Sequence, residues 1–143
     1  MRFWDSSALV PLFIGELTRP QLRRLVEEDP AIYCWWATRV ECASVLARLT
    51  REGRLDGGAG RRARADLDDL YRGVCEIEPT EDVRERAERC LAVHALRAAD
   101  ALQLAAALIW ARERPMGMTV VSLDERLRLA AFREGFTVLP ATA

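Results

Sequence analysis

The sequence predicts an α/β fold, a central parallel β-sheet flanked by helices on both faces. Three observations carry that expectation. Short apolar runs of strand length alternate with helix-patterned segments, the order that implies parallel strands joined by helical crossovers. Met118 to Ser122 has the continuous apolar character of a strand buried on both sides. Asp100 to Ala111 is so rich in Leu and Ala that it reads as a central helix. A length of 143 residues suits a single domain over 1–143, and no internal repeat or linker divides it.

The elements follow in order. Arg2 to Trp4 is a short strand stopped by Asp5, and Ser6 to Phe13 is a short helix. Thr18-Arg-Pro-Gln21 has the signature of a helix start, with a Thr cap and an early proline, and the helix runs to about Glu28. Ala31 to Trp35 is a strand. Thr38 to Arg51 is a helix with Cys42, Val45, Leu46 and Leu49 on one face. Gly53, Gly57, Gly58 and Gly60 mark a turn before a helix from Arg61 to Tyr71. Val74 to Ile77 is a strand, and Pro79-Thr80 opens a helix through Val93. After the central helix and the buried strand, Leu127 to Ala131 is helical, Gly135 ends it, and Phe136 to Leu139 is the last strand.

Composition excludes several classes. With 50% hydrophobic and 30% charged residues the chain is neither disordered nor a membrane protein, and no apolar run nears the ~20 residues of a bilayer span. Asp5 interrupts the N-terminal apolar stretch, so no leader peptide is expected and the expected setting is cytoplasmic. All 21 basic residues are arginine. Without lysine, P-loop, Schiff-base and receiver-domain chemistries are excluded. Cys34, Cys42, Cys75 and Cys90 stand singly, which argues against zinc and against a disulfide framework; they read as small buried hydrophobes. His94, the only histidine, reads as structural.

Four acids fall where open parallel sheets build their sites, beyond the carboxyl ends of the strands. Asp5 and Asp124 follow strands, and Glu41 and Asp100 lie in the first turns of helices. A hard, oxygen-only set of this kind suits Mg²⁺ or Mn²⁺ and phosphodiester hydrolysis. A plainer reading stands beside it. Thr38-x-x-Glu41 and Ser122-x-x-Glu125 fit capping boxes, and Asp100-x-x-Gln103 nearly does. Capping accounts for each acid singly, but not for four at one edge.

The residues resemble the PIN domain, and within it the VapC-like ribonuclease toxins of bacterial toxin–antitoxin pairs. Phe3-Trp4-Asp5-Ser6-Ser7-Ala8-Leu9-Val10 looks like the family's first strand and its acid. Val40-Glu41 with Val45-Leu46-Ala47-Arg48, the segment from Leu96 to Ala107, and Ser122-Leu123-Asp124-Glu125-Arg126-Leu127 match its later motifs in order. The resemblance covers essentially the whole chain. It implies a Mg²⁺- or Mn²⁺-dependent endoribonuclease with Asp5, Glu41, Asp100 and Asp124 as its acidic quartet. Asp5 and Asp100 would be direct ligands, and Ser7 would hydrogen-bond a ligating carboxylate or water. A cognate antitoxin and a homodimer are implied as well. A catalytically silent PIN scaffold that binds protein or RNA is the alternative. Repulsion among four carboxylates should make metal affinity pH-dependent, and cleavage by activated water should leave a 3′-hydroxyl and a 5′-phosphate.

RNA needs positive charge although the formal net charge is only -1. Arg48, Arg61 and Arg62 are the candidate RNA contacts, in a stretch from Arg48 to Arg64 with few acids. Arginines at the start of the Arg61 helix and acids toward its end oppose the helix dipole, which hints at binding. A solvated charged face explains the same pattern. Trp36 is open to base stacking, whereas Trp110 reads as core.

Overall fold

Phe3 and Trp4 are neighbours in sequence, yet they enter different hydrophobic clusters, because successive strand residues face opposite sides of a sheet. The same alternation sends Cys34 one way and Trp35 the other, and separates Val121 from Val120. Both sides are buried, as a parallel sheet requires. The computed structural model describes residues 1–17 and 19–142, so the Thr18 cap expected from the sequence lies outside the described residues.

Five strands form the sheet: β1 (Arg2–Trp4), β2 (Ile32–Trp35), β3 (Cys75–Ile77), β4 (Thr119–Val121) and β5 (Thr137–Leu139). All neighbours are parallel, in the order β3-β2-β1-β4-β5, with Phe3 registered against Tyr33 on one side and Val120 on the other. Helices α1 (Ser6–Phe13), α2 (Pro20–Glu28), α3 (Thr38–Arg51) and α4 (Gly57–Tyr71) supply the cluster that contains Trp4. Helices α5 (Glu81–Val93), α6 (Ala98–Trp110) and α7 (Glu125–Glu134) supply the one that contains Phe3. From β1 the chain winds outward through β2 to β3, then returns to build β4 and β5 on the other side of β1. Crossovers of one hand put their helices on opposite faces when the direction of travel reverses. The reversal leaves a crevice between the carboxyl ends of β1 and β4.

The expected strands and helices are present, with boundaries shifted by a few residues. A short 3₁₀ turn at Gly15–Leu17 adds to them. Helix α4 starts at Gly57, inside the stretch that reads as a turn in the sequence. Asp56 caps it through a 2.7 Å bond from the Ala59 amide, and a side chain at Gly60 would meet Thr50 Oγ1 at 3.5 Å. That is ordinary van der Waals contact, so α3 leaves room for a side chain there, and each glycine within the helix costs about 1 kcal/mol of helix propensity. Gly135 ends α7 as expected, at a positive φ of 106°. Cys34, Cys42 and Cys90 are buried free thiols, but Cys75 is exposed, because it lies on edge strand β3. Among the described residues no single helix is long and apolar enough to cross a membrane.

Candidate metal centre

Asp5 follows β1 and is the residue from which α1 begins, so it sits at the mouth of the crevice while remaining 4% exposed. Its side chain does not cap α1. Instead it accepts the Ser7 hydroxyl at 2.8 and 3.0 Å on its two oxygens. Ser7 Oγ in turn accepts the Leu123 amide at 2.8 Å, which ties the loop after β4 to the start of α1. Burial pushes the Asp5 carboxyl up to about 7, against the Ser7 and Ser122 hydroxyls that favour its charge.

Glu41, in the first turn of α3, is held at both oxygens. Ser6 Oγ donates to Oε2 at 2.9 Å, and Gln103 Nε2 of α6 donates to Oε1 at 3.0 Å. Thr38 is fully buried and accepts the same Gln103 amide at 2.8 Å. The capping-box reading of Thr38 and Glu41 is therefore corrected: Ala37 precedes the helix, no side chain caps it, and both residues point toward α6. Burial raises the Glu41 carboxyl first, the Ser6 and Gln103 donors oppose this, and the Asp100 charge adds to the rise.

Asp100 lies in the first turn of α6. Burial and then the neighbouring Asp124 charge raise its carboxyl, partly offset by Arg97 and Arg126. Asp124 is the N-cap of α7, accepting the Leu127 amide at 2.8 Å on one oxygen. Here the capping reading holds, but for Asp124 instead of Ser122. Ser122 Oγ accepts the Asp124 amide at 3.1 Å and lies 3.5 Å from Ser7 Oγ.

The four carboxylates thus share one edge, and none enters an ion pair among the described residues. They do not close into a cage: among the described residues no three His, Cys, Asp or Glu side chains are grouped so as to hold a metal ion. Mg²⁺ tolerates such openness, since it usually keeps several waters and takes one or two carboxylates. The donors are all hard oxygens, and Glu41 and Asp100 each feel the charge of another acid of the set, which fits a divalent cation.

Two clefts meet at Leu123. One, of about 690 Å³, is lined by Ser6, Ser7, Val45, Arg19 and Arg48 among others. The other, of about 370 Å³, holds Asp100 and Asp124 with Arg97 and Arg126. Arg48 therefore adjoins the site. Arg61 and Arg62 line two grooves that share no residue with either cleft. The dipole argument for them is corrected, because α4 begins at Gly57 with Asp56 as its cap and both arginines lie beyond the first turn. Trp36 is 48% exposed, whereas Trp110 packs its ring 5.9 Å from Phe3 and 5.7 Å from Tyr33. His94 bonds Glu134 at 2.7 Å and touches none of the four acids.

Sequence reasoning passes over Ser6, Gln103, Arg97 and Arg126 as site residues. Gln103 reads there only as a cap partner of Asp100, although their i, i+3 spacing puts both on one helix face.

Comparison with known proteins gives the family. The chain is 31% identical over 139 residues to Ribonuclease VapC45 and, to the same extent, to Ribonuclease VapC49, from two strains of Mycobacterium tuberculosis. Each match covers 97% of this chain and 94% of the relative. The fold is similar to that of FitAcB from Neisseria gonorrhoeae, at a TM-score of 0.66 and 17% identity, over 98% of this chain and 97% of that one. It is also similar to PAE2754 from Pyrobaculum aerophilum, at a TM-score of 0.64 and 20% identity, over 96% and 83%. Residues 2–133 match the PIN domain model, and the chain belongs to the PIN domain family.

Proposed function

We propose that this chain is a Mg²⁺- or Mn²⁺-dependent endoribonuclease acting through Asp5, Glu41, Asp100 and Asp124, and that it is the toxin of a toxin–antitoxin pair. One observation carries the reading. Four carboxylates stand at the crevice between β1 and β4 without a paired cation, and Glu41 and Asp100 are each raised in part by another of them. The similarity to relatives named as ribonucleases supports RNA as substrate.

Asp5 and Asp100 would hold the ion directly, with Glu41 and Asp124 completing the set directly or through water; the ion would neutralise phosphate charge and acidify a water. Ser7 holds Asp5 in its rotamer, and Ser6 and Gln103 aim the two oxygens of Glu41. No imidazole is at hand to deprotonate a 2′-hydroxyl, since His94 is bonded to Glu134. Hydrolysis by water, leaving a 3′-hydroxyl and a 5′-phosphate, is the chemistry that fits. The partners would be RNA, a cognate antitoxin and a second copy of the chain, in the cytoplasm. The open spacing of the carboxylates favours a second reading, a silent scaffold that binds RNA or protein.

The test is cleavage of pooled cellular RNA by the purified chain with Mg²⁺ or Mn²⁺, beside Asp5→Asn and Asp100→Asn. Metal-dependent fragments that vanish in both variants are expected. Absence of both cleavage and calorimetric metal binding would leave the scaffold.

A further inference from the structure

Arg97 is the residue from which α6 begins, and Arg126 is the second residue of α7. These helices start at the same edge, and their arginines line the cleft of about 370 Å³ with Asp100 and Asp124. Some exposed arginines of this chain are neutralised by acidic partners: Arg64 pairs with Asp68, Arg72 with Asp69, and Arg84 with Glu81. Arg97 and Arg126 are exposed and, among the described residues, enter no ion pair. Their charges reach Asp100 through space. Each also sits at the positive end of its helix, where the helix dipole disfavours a cation. Two guanidiniums left unpaired at unfavourable positions, beside a floor of carboxylates, are placed to meet an anion coming from solvent.

We propose that Arg97 and Arg126 form a phosphate clamp that grips the RNA backbone beside the scissile bond. The proposal rests on the nuclease reading above and adds how the acidic site tolerates a polyanion. A planar guanidinium binds two phosphate oxygens at once, whereas a carboxylate floor alone repels them. The cleft joins the Ser7 cleft at Leu123, so a strand held here runs on past Asp5 toward Arg48.

The experiment measures binding of a single-stranded RNA oligonucleotide in Mg²⁺ across a salt series, in a cleavage-dead Asp5→Asn background. Arg97→Ala and Arg126→Ala should each weaken binding about tenfold. Each should also flatten the slope of log affinity against log salt by about 0.7 for every phosphate no longer neutralised. In the native background the same variants should raise KM more than they lower kcat. Lysine at either position should restore the slope but only part of the affinity. Unfolding midpoints should stay put, because both side chains are exposed. A double alanine variant with unchanged affinity and slope overturns the clamp. Failure of the nuclease reading registers separately, as RNA left uncut by the native chain whatever the slopes.

Discussion

Gln103 Nε2 lies 3.0 Å from Glu41 Oε1, so one buried amide joins α6 to α3 around the carboxyl edge of the sheet. The two helices pack into different cores, and this bond links the layers where the acids meet. Its orientation is determined by chemistry: a flipped amide would set a carbonyl oxygen against a carboxylate.

Gln103→Leu should therefore destabilise the chain by about 1–3 kcal/mol, since Thr38 and Glu41 lose a buried donor. Gln103→Glu should be worse, because it faces Glu41 with a like charge. Urea unfolding of the two variants measures both, and a neutral Gln103→Leu would show that the bond is incidental.

Asp5 should govern the pH dependence of stability without metal. Its carboxyl is raised from 3.8 to about 7 in the folded chain. The stabilising contribution of its neutral form is thus complete below about pH 4 and lost as pH rises through 7, a change of about 4 kcal/mol. Asp5→Asn keeps the neutral shape, so it should be the more stable protein at pH 8 and flatten the profile. Parallel profiles for the two proteins would contradict this.

Metal affinity should carry the opposite sign. With Asp5 as a ligand, as proposed, an ion needs its carboxylate ionised, so affinity should climb with pH to about 7 and then level, with release of about one proton below that point. Calorimetry in buffers of differing ionisation heat reads the proton directly. Flat affinity from mildly acidic to neutral pH would count against Asp5 as a ligand.

Ser7→Ala removes the Asp5 donor and orphans the Leu123 amide. A loss of about 1–3 kcal/mol is expected. The pH at which metal affinity levels should also move upward, because the Asp5 charge loses a stabilising bond. That second shift separates a role at the site from simple packing.

Arg48 shares the cleft with Ser6 and Ser7, whereas Arg61 and Arg62 do not. Arg48→Ala should weaken RNA binding and its salt slope more than Arg61→Ala with Arg62→Ala. A larger effect from the α4 pair would place the RNA along α4 instead.

Much is legible in the sequence because local signals and the fold agree. The strand at Arg2–Trp4 ends where Asp5 interrupts an apolar run, and the helix over Thr38–Arg51 appears at the expected bounds. The start of α4 is hidden because glycine normally signals a turn; here the Asp56 side chain accepts the Ala59 amide and starts the helix at Gly57. The roles of Thr38 and Gln103 are hidden because a hydroxyl and an amide at cap spacing look alike whether they bond their own helix or another. Only the tertiary structure, which brings Gln103 of α6 within reach of Thr38 and Glu41 of α3, distinguishes the two.

By itself the sequence determined the alternation of strands and helices, the exclusion of lysine chemistry and the placement of four acids at strand or helix ends. These depend on residue type and short-range spacing, which the chain carries locally. Tertiary structure alone decided the strand order, and with it the crevice between β1 and β4. It also decided which acid caps a helix, which hydroxyls hold Asp5 and Glu41, and which arginines reach the cleft. Those outcomes depend on pairings such as Ser7 with Leu123 and Gln103 with Glu41. Residues so far apart in sequence acquire a chemistry in common only when burial brings them together and makes an unpaired polar group costly.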